Sequence, residues 1–219
     1  MNVIITGATG MVGEGVLLEC IANQAVDEIL IVNRKPYDGI KSLKVKECIV
    51  PDFFNPESVK EYLTGYDACF YCAGRSSVGM NELDYQRITY DMVISFAKYL
   101  LDLNPDMTFC HVSGAGTDST GHGKAMWARI KGKAENALMK LPFKAVYHFR
   151  PALMKPTAGQ KYLHGYNKMY PFLYPVLRLI MPGKSCTVQE IGRAMIHSVL
   201  KGYPKQILEV RDIVILARS

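Results

Sequence analysis

Three glycines spaced three residues apart stand near the start of the chain. They follow a short apolar run, residues 3–5, and open a helical pattern, residues 11–22. In such a loop the first glycine allows a tight turn, the second lets phosphate approach the backbone, and the third lets helix and strand meet closely. The free N–H groups at the start of the helix attract an anion. The spacing therefore predicts a binding site for the pyrophosphate of a dinucleotide. The predicted loop residues are Gly7, Thr9, Gly10, Met11, Val12 and Gly13.

The residues after the second apolar run, Asn33, Arg34 and Lys35, indicate which dinucleotide binds. A site for NAD(H) usually carries Asp or Glu here, because a carboxylate accepts hydrogen bonds from the adenosine ribose. This chain instead carries two cations that would pair with a 2′-phosphate. The pattern favours NADP(H). NAD(H) stays open, because Arg34 can also be a solvated surface residue.

Two further groups of residues follow apolar runs, at the strand ends where ligands of parallel sheets bind. Asp52 and Phe53 follow the third run, and Cys72, Ala73 and Gly74 end or follow the fourth. Asp52 can reach the adenine amino group, and Gly74 lets the cofactor approach the backbone. Ordinary turns explain the same residues equally well.

Alternating strands and helices must position these residues. The predicted strands are apolar on both faces, as in a parallel sheet covered by helices. They comprise residues 3–5, 29–32, 48–50, 68–72, 108–112 and 145–149, and the helical patterns cover residues 11–22, 56–63, 81–103 and 124–139. In the third helix, an inward apolar stripe is formed by Leu83, Ile88, Met92, Val93, Phe96 and Leu100. The alternation predicts an α/β fold with a Rossmann-type doubly wound parallel sheet flanked by helices.

The whole chain, residues 1–219, is predicted to form a single domain. Residues 1–152 would form the cofactor-binding core. Residues 153–219 contain a stretch rich in Tyr, Pro and Met at 162–182, a helix at 188–201 and a short apolar tail at 206–216. Because the sheet is complete by residue 152 in this interpretation, we expect the C-terminal segment to cover the strand ends where ligands bind. Simple hydrophobic packing is the alternative.

Composition excludes several classes of protein. With 49% hydrophobic and 21% charged residues, the chain suits a globular domain rather than a disordered one. The formal net charge is +6, and the cations are scattered, which favours a phosphate-bearing small molecule over a nucleic acid. Cys69 and Cys72 form a C-x-x-C motif inside an apolar run, so we expect the six cysteines to be core thiols of a reducing compartment. No cluster of His, Cys, Asp and Glu has metal-binding spacing.

The chain start and one later segment bear on location. The first residues reach the glycine loop without a basic start or a long apolar region, so we expect a cytoplasmic protein. Residues 166–181 are too short and too often interrupted by charge and proline to span a membrane. Contact of this aromatic stretch with a membrane surface is a weaker alternative.

Several motifs resemble those of the atypical short-chain dehydrogenases/reductases, within the NAD-dependent epimerase/dehydratase-like and Tat-interacting-protein-like groups. The motifs begin at Thr6, Tyr71, His111, Trp127 and Phe149, and read TGATG, YCAG, HVSGAG, WARIKGKAE and FRPA. The resemblance implies that Ser113 orients the substrate and that Lys131 binds the nicotinamide ribose. It also places Pro151 and Ala152 beside the cofactor.

The resemblance fails at the proton-transfer residue. A tyrosine four residues before Lys131 serves as the general acid/base in the family, and this chain has Trp127 there. An indole N–H can donate a hydrogen bond but exchanges no proton near neutral pH. Another group would replace the phenol: Tyr162 or Tyr166 from the covering segment, His122 from the loop after Ser113, or water. The literal Tyr-x-x-x-Lys at Tyr37 falls beside the adenosine end and is a coincidence.

Two functions follow as hypotheses. The first is an NADP(H)-dependent oxidoreductase or epimerase-like enzyme that acts on a small carbonyl or hydroxyl compound, since Ser113 and Lys131 are present. The second is a non-catalytic NADP(H)-binding redox sensor or regulatory protein, since Trp127 replaces the acid/base. The family resemblance also makes a homodimer an expectation.

Overall fold

A seven-stranded parallel sheet forms the centre of the molecule, as seen in a computed structural model that describes residues 1–163, 174–175, 179–181 and 183–219. Its strands are β1 (Asn2–Thr6), β2 (Glu28–Asn33), β3 (Val45–Ile49), β4 (Ala68–Tyr71), β5 (Thr108–Val112), β6 (Ala145–Arg150) and β9 (Ile207–Glu209). They lie in the order β3-β2-β1-β4-β5-β6-β9. A separate parallel pair consists of β7 (Leu153–Lys155) and β8 (Ser185–Thr187).

Helices cover both faces of this sheet. The helices are α1 (Met11–Ala22), α2 (Glu82–Gln86), α3 (Met92–Leu103), α4 (Met126–Leu138), α5 (Val188–Lys201) and α6 (Val210–Ala217), with a 3-10 helix at Glu57–Leu63 and a π-helical turn at Arg87–Asp91. On β1, Val3 and Ile5 join one buried cluster and Ile4 joins the other, because side chains alternate along a strand. The predicted doubly wound Rossmann-type fold is confirmed.

The C-terminal part contributes to the core as well as covering it. Strand β9 pairs with β6, and α5 packs against α1. The helices approach closely, because a Cβ added at Gly192 would lie 2.8 Å from Cβ of Glu19. The sheet is therefore not complete by residue 152, and a boundary there separates strands of one sheet. The seventh strand has only three residues, too few to show a period in the sequence.

One side chain of the predicted apolar stripe points elsewhere. Leu83 is 80% exposed, whereas Val93, Phe96 and Leu100 are buried. The π-helical turn at Arg87–Asp91 lies between them. A π turn inserts extra rotation into a helix, so residues before it leave the stripe that the residues after it follow. The regular 3.6-residue spacing assumed from the sequence was wrong at this point.

Among the described residues, no helix is both long and apolar enough to cross a bilayer. The aromatic segment 166–181 lies largely outside the described residues.

Candidate functional site

A cleft of about 730 Å³ opens at the carboxyl ends of β1, β2 and β4. The order of strands reverses between β1 and β4, and such a reversal is where this fold binds ligands. The predicted binding residues that line the cleft are Gly7, Thr9, Gly10, Asn33, Arg34, Lys35, Phe53, Cys72, Ala73 and Gly74. The sequence reasoning did not assign Val32, Pro36, Arg75, Ile88, Met92 and Tyr162 to cofactor binding, yet all of them line it.

The glycine loop has the geometry expected from its spacing. Gly7 has φ +73°, and a Cβ there would lie 2.7 Å from the backbone nitrogen of Ala73 on the neighbouring strand end. A Cβ at Gly13 would lie 2.1 Å from the Gly7 oxygen. At Gly10 the nearest atom is 3.4 Å away, so the start of α1 faces open space. The loop is closed against protein on two sides and open toward the cleft.

Unpaired cations gather at the cleft. Arg34, Lys35 and Arg75 line it, and no carboxylate side chain does so among the described residues. None of these cations forms a salt bridge within the described part of the chain. Arg75 could have been found from the sequence, because it directly follows Gly74 at the end of a strand. The electrostatic character of the cleft suits an anionic ligand.

An unsatisfied acceptor lies in the same wall. Asn33 is 4% exposed, and its Oδ1 atom has no hydrogen-bond partner among the described residues. Its Nδ2 atom donates to Glu47 Oε1 at 3.4 Å, which leaves Oδ1 facing away from that carboxylate. A buried acceptor without a donor costs about 1–3 kcal/mol. A donor from a bound ligand, such as a hydroxyl or amino group, would remove that cost.

Apolar side chains complete the cleft. Val32, Phe53, Ile88 and Met92 line it, and the ring of Phe53 lies 4.8 Å from that of Phe96. Ile88 belongs to the π-helical turn, a type of distortion often found at functional sites. This surface has the size and polarity to hold a planar base.

Three predicted loop residues shape the site from outside the cleft lining. The carbonyl oxygen of Met11 accepts a hydrogen bond from Nε2 of Gln160 at 2.5 Å. Val12 packs against the core, and Gly13 allows the close contact with Gly7. They hold the loop, and their backbone N–H groups remain candidates for phosphate.

Three other predicted cofactor residues make structural contacts. Asp52 Oδ1 accepts from the backbone N–H of Phe54 at 2.9 Å, which is the ordinary turn considered from the sequence. The Pro151 carbonyl accepts from Ala115 at 2.8 Å, and Ala152 packs against the core. None of the three lines the cleft.

Ser113 follows β5 and takes part in a buried polar network. Its hydroxyl donates to Glu135 Oε1 at 2.5 Å. Glu135 is fully buried and forms two hydrogen bonds with Arg150, from Nε at 3.0 Å and from Nη2 at 2.5 Å. Because a serine hydroxyl has one proton, Ser113 Oγ can only accept a hydrogen bond from any further partner while this contact lasts.

Lys131 and Trp127 stand one turn apart on α4. The Lys131 ammonium donates to the carbonyl oxygen of Ser113. Burial lowers the pKa of Lys131, and the nearby Glu135 carboxylate opposes that shift. Trp127 is half-buried, and a Cβ at Gly116 would lie 3.3 Å from its indole ring. Trp127 stands where the family has its tyrosine and offers no group that can carry a proton.

Ser113, Trp127 and Lys131 lie next to the cleft and are not part of its lining. The register of β4 and β5 pairs Tyr71 with His111, so Ala73 and Ser113 continue at the same level on neighbouring strands. Adjacent strands are about 4.8 Å apart. The sheet therefore sets Ser113 one strand beyond the cleft wall.

The model of the NAD dependent epimerase/dehydratase family matches residues 3–147 of this chain. The chain belongs to this family. The match includes the glycine loop, every residue of the cleft lining except Tyr162, Ser113 and the helix with Trp127 and Lys131. The resemblance read from the sequence motifs is confirmed.

Two fungal proteins are similar in sequence to this chain. Leucinostatins biosynthesis cluster protein T of Purpureocillium lilacinum is 28% identical over 145 residues, 64% of this chain and 52% of the relative. The mitochondrial protein fmp52 of Emericella nidulans is 28% identical over 166 residues, 73% of this chain and 68% of the relative. The chain thus spans about half the length of the first relative and about two thirds of the second.

Solved structures of epimerases and dehydratases have a similar fold. A double mutant of the dTDP-glucose 4,6-dehydratase DesIV from Streptomyces venezuelae has a TM-score of 0.69 at 14% identity, covering 100% of this chain and 80% of that one. The Helicobacter pylori ADP-L-glycero-D-manno-heptose-6-epimerase has a TM-score of 0.70 at 12% identity, covering 99% and 80%. At these identities the likeness shows the fold alone.

The two suggested acid/base substitutes that the structure describes, His122 and Tyr162, have surroundings other than Ser113. His122 is exposed, and its neighbours Thr120 and Gly121 line a second cavity beside α3 and α4. Tyr162 hydrogen-bonds Asp38 after β2. Strands β2 and β5 are three positions apart in the sheet, about 14 Å at the usual spacing. Tyr166 lies outside the described residues.

The remaining titratable groups beneath this edge of the sheet belong to the core. His111 and His148 are buried, with their Nδ1 atoms 3.3 Å apart. Burial lowers the pKa of His148 to about 4 and holds the pKa of His111 well below its usual range. The six cysteines are free thiols. Within the described ranges, no group of His, Cys, Asp and Glu is arranged to hold a metal ion.

Proposed function

We propose that this epimerase/dehydratase family member binds NADP(H) in the cleft and acts as an oxidoreductase or epimerase-like enzyme on a small carbonyl or hydroxyl compound. The observation that carries the proposal is the wall formed by Arg34, Lys35 and Asn33. Among the described residues, it offers two cations without a salt bridge and one acceptor without a donor at the end of β2. A ribose bearing a 2′-phosphate would supply negative charge to the two cations and a hydroxyl donor to Asn33 Oδ1. One of the structures with a similar fold, DesIV, contains NAD, and the preference for NADP(H) rests on this wall.

Each part of the cleft would hold one part of the dinucleotide. The N–H groups of the glycine loop would bind the pyrophosphate. Arg34 and Lys35 would pair with the 2′-phosphate, and the apolar surface around Phe53 would hold adenine. The two ammonium N–H groups of Lys131 not bound to Ser113 would reach the nicotinamide ribose. The bound cofactor supplies the hydride acceptor or donor.

At the reacting centre, the contacts of Ser113 determine which substrate atom it can bind. Its proton is held by Glu135, so its oxygen would accept a hydrogen bond from a substrate hydroxyl. Trp127 can donate a hydrogen bond but cannot exchange a proton. The substrate proton would therefore leave to water, and slow turnover is expected.

Calorimetric titration with NADPH and NADH tests the cofactor proposal. The wild type should bind NADPH more tightly, and Arg34→Ala should weaken NADPH binding by about 10-fold or more while NADH binding stays within about a factor of two. Lys98→Ala, an exposed lysine at the second cavity, is the matched control and should change neither affinity. Equal losses for both cofactors in Arg34→Ala would contradict the role of Arg34 at the 2′-phosphate.

A second candidate function is a non-catalytic NADP(H)-binding sensor, and Trp127 is the observation that favours it. The variant Trp127→Tyr separates the two. If the site is otherwise intact, the variant should gain NADPH oxidation with a panel of small aldehydes and ketones, measured by loss of NADPH absorbance. If NADPH binds equally well to both proteins and neither turns over, the sensor is favoured.

A further inference from the structure

Residues 157–162 form a strap that contacts the first turn of α1 and, through Tyr162, reaches the lining of the cleft. Nε2 of Gln160 donates to the Met11 carbonyl at the start of α1. The backbone N–H groups of Lys161 and Tyr162 donate to the two carboxylate oxygens of Glu14, at 3.0 Å and 2.7 Å. Glu14 is 1% exposed, in the first turn of α1. These contacts fix which strap side chains face the loop after β2.

The side chains of Lys161 and Tyr162 both bind the carboxylate of Asp38. The Lys161 ammonium forms an ion pair with Asp38, and the Tyr162 hydroxyl donates to the same carboxylate. The ring of Tyr162 lines the cleft and lies 5.7 Å from the ring of Tyr37. Through Tyr162, the strap therefore joins the cleft wall to Asp38.

Asp38 stands where a carboxylate would change the cofactor preference. It lies two residues after Pro36, which lines the cleft, and one hydrogen bond behind Tyr162. An acid near the end of the second strand of this fold commonly binds the ribose hydroxyls of NAD(H). The same charge would repel a 2′-phosphate. In this structure the Asp38 carboxylate is instead paired with the Lys161 ammonium.

We propose that Lys161 and Tyr162 are specificity-determining residues that neutralise and restrain Asp38, so that the cleft accepts a 2′-phosphate. This inference rests on the proposed function, because it assumes a dinucleotide in the cleft. The other described carboxylate beside this wall, Glu47, already accepts hydrogen bonds from Asn33 Nδ2 and from the Tyr37 N–H. Lys161 is the cation that pairs with Asp38 among the described residues.

The ion pair can be removed without loss of the fold. The side chains of Lys161 and Asp38 are 53% and 68% exposed, and exposed pairs contribute little to stability. Lys161→Met keeps the length and apolar part of the side chain. Lys205→Met, which removes the exposed partner of Asp212 far along the chain, is the matched control.

Titration with NADPH and NADH, by calorimetry, tests the proposal. Lys161→Met should weaken NADPH binding by about tenfold and leave NADH binding unchanged or tighter, because a free Asp38 charge repels only the phosphate. The double variant Lys161→Met/Asp38→Asn should return NADPH affinity to within about a factor of three of the wild type. Lys205→Met should bind both cofactors as the wild type does.

The outcomes separate this inference from the proposed function. A wild type that binds neither cofactor overturns both. If the wild type prefers NADPH, but Lys161→Met weakens both cofactors equally or neither, the cofactor proposal stands and the role of Lys161 is wrong. Failure of Asp38→Asn to rescue Lys161→Met likewise overturns the inference, because the loss would then arise from the position of the strap rather than from charge.

Discussion

Two neighbouring regions of one sheet edge differ in how their polar groups are used. At the ends of β1, β2 and β4, the cleft wall has cations without salt bridges and an acceptor without a donor among the described residues. At the end of β5, the hydroxyl of Ser113 and the ammonium of Lys131 already bind groups of the protein. The first region is arranged to bind a ligand. The second is satisfied internally, and its family acid/base is replaced by Trp127.

The difference indicates that binding and chemistry can be separated in this fold. A cofactor site needs an open phosphate-binding loop, charged groups and an apolar surface for the base. The first region has all three. Chemistry needs a group that exchanges a proton, and the described part of the second region offers none at the expected position. Stability and affinity measurements can therefore probe the two regions independently.

The largest effect is expected in the second region, from Glu135→Gln. The change leaves the buried Arg150 guanidinium without its main counter-charge, although the partly exposed Glu209 still contacts it. Breaking a buried pair costs about 3–5 kcal/mol of the free energy of unfolding. Urea denaturation measures it. Glu82→Gln, which breaks an exposed pair with Arg129, should cost less than about 1 kcal/mol, and equal effects would remove the contrast between buried and exposed pairs.

A pH dependence is expected next, from the pair of buried histidines on β5 and β6. In the unfolded chain each histidine takes up a proton near its usual pKa of about 6.5, but burial lowers the pKa of His148 to about 4 in the folded protein. Stability is therefore full above about pH 6.5 and is lost as the pH falls toward 4. The slope is at most about 1.4 kcal/mol per pH unit for each histidine. Thermal unfolding of His148→Gln should show a flatter profile between these pH values, and an unchanged slope would assign the dependence to other groups.

The smallest stability effects compare two glycines of the first region. Gly13→Ala should cost about 1–3 kcal/mol, because its Cβ would meet the Gly7 backbone at 2.1 Å. Gly74→Ala has no atom within 4 Å of its new Cβ and should leave stability within about 0.5 kcal/mol. Its methyl group would enter the cleft, so NADPH binding should weaken while folding stays intact. A Gly74→Ala protein that binds NADPH normally would show that the ligand lies elsewhere.

Local patterns predicted most of the fold. Helices α1 and α5 and strand β5 have the predicted bounds, because their period or apolar character is continuous. The short strand β9 and the π-helical turn were not predictable, since neither has a local signal longer than a few residues. Leu83 was wrongly assigned to the inward apolar stripe because the π-helical turn changes the helical spacing.

The candidate site was predictable where it follows single strands. The glycine loop and Asn33–Lys35 adjoin β1 and β2, so strand position alone indicated them. The network of Ser113, Glu135 and Arg150 joins three distant segments, and the strap reaches Glu14 from nearly 150 residues away. Only the folded arrangement shows that Tyr162 lines the cleft and that His122 is exposed beside residues lining another cavity.

A crystal structure of the protein with NADPH would test the central claim most directly. We expect the pyrophosphate at the glycine loop, the 2′-phosphate within hydrogen-bonding distance of Arg34, and a donor of the adenosine ribose or base on Asn33 Oδ1. The nicotinamide should point toward Ser113 and Lys131. Clear density for NADPH outside this cleft, or in it with the 2′-phosphate turned away from Arg34, would contradict the account.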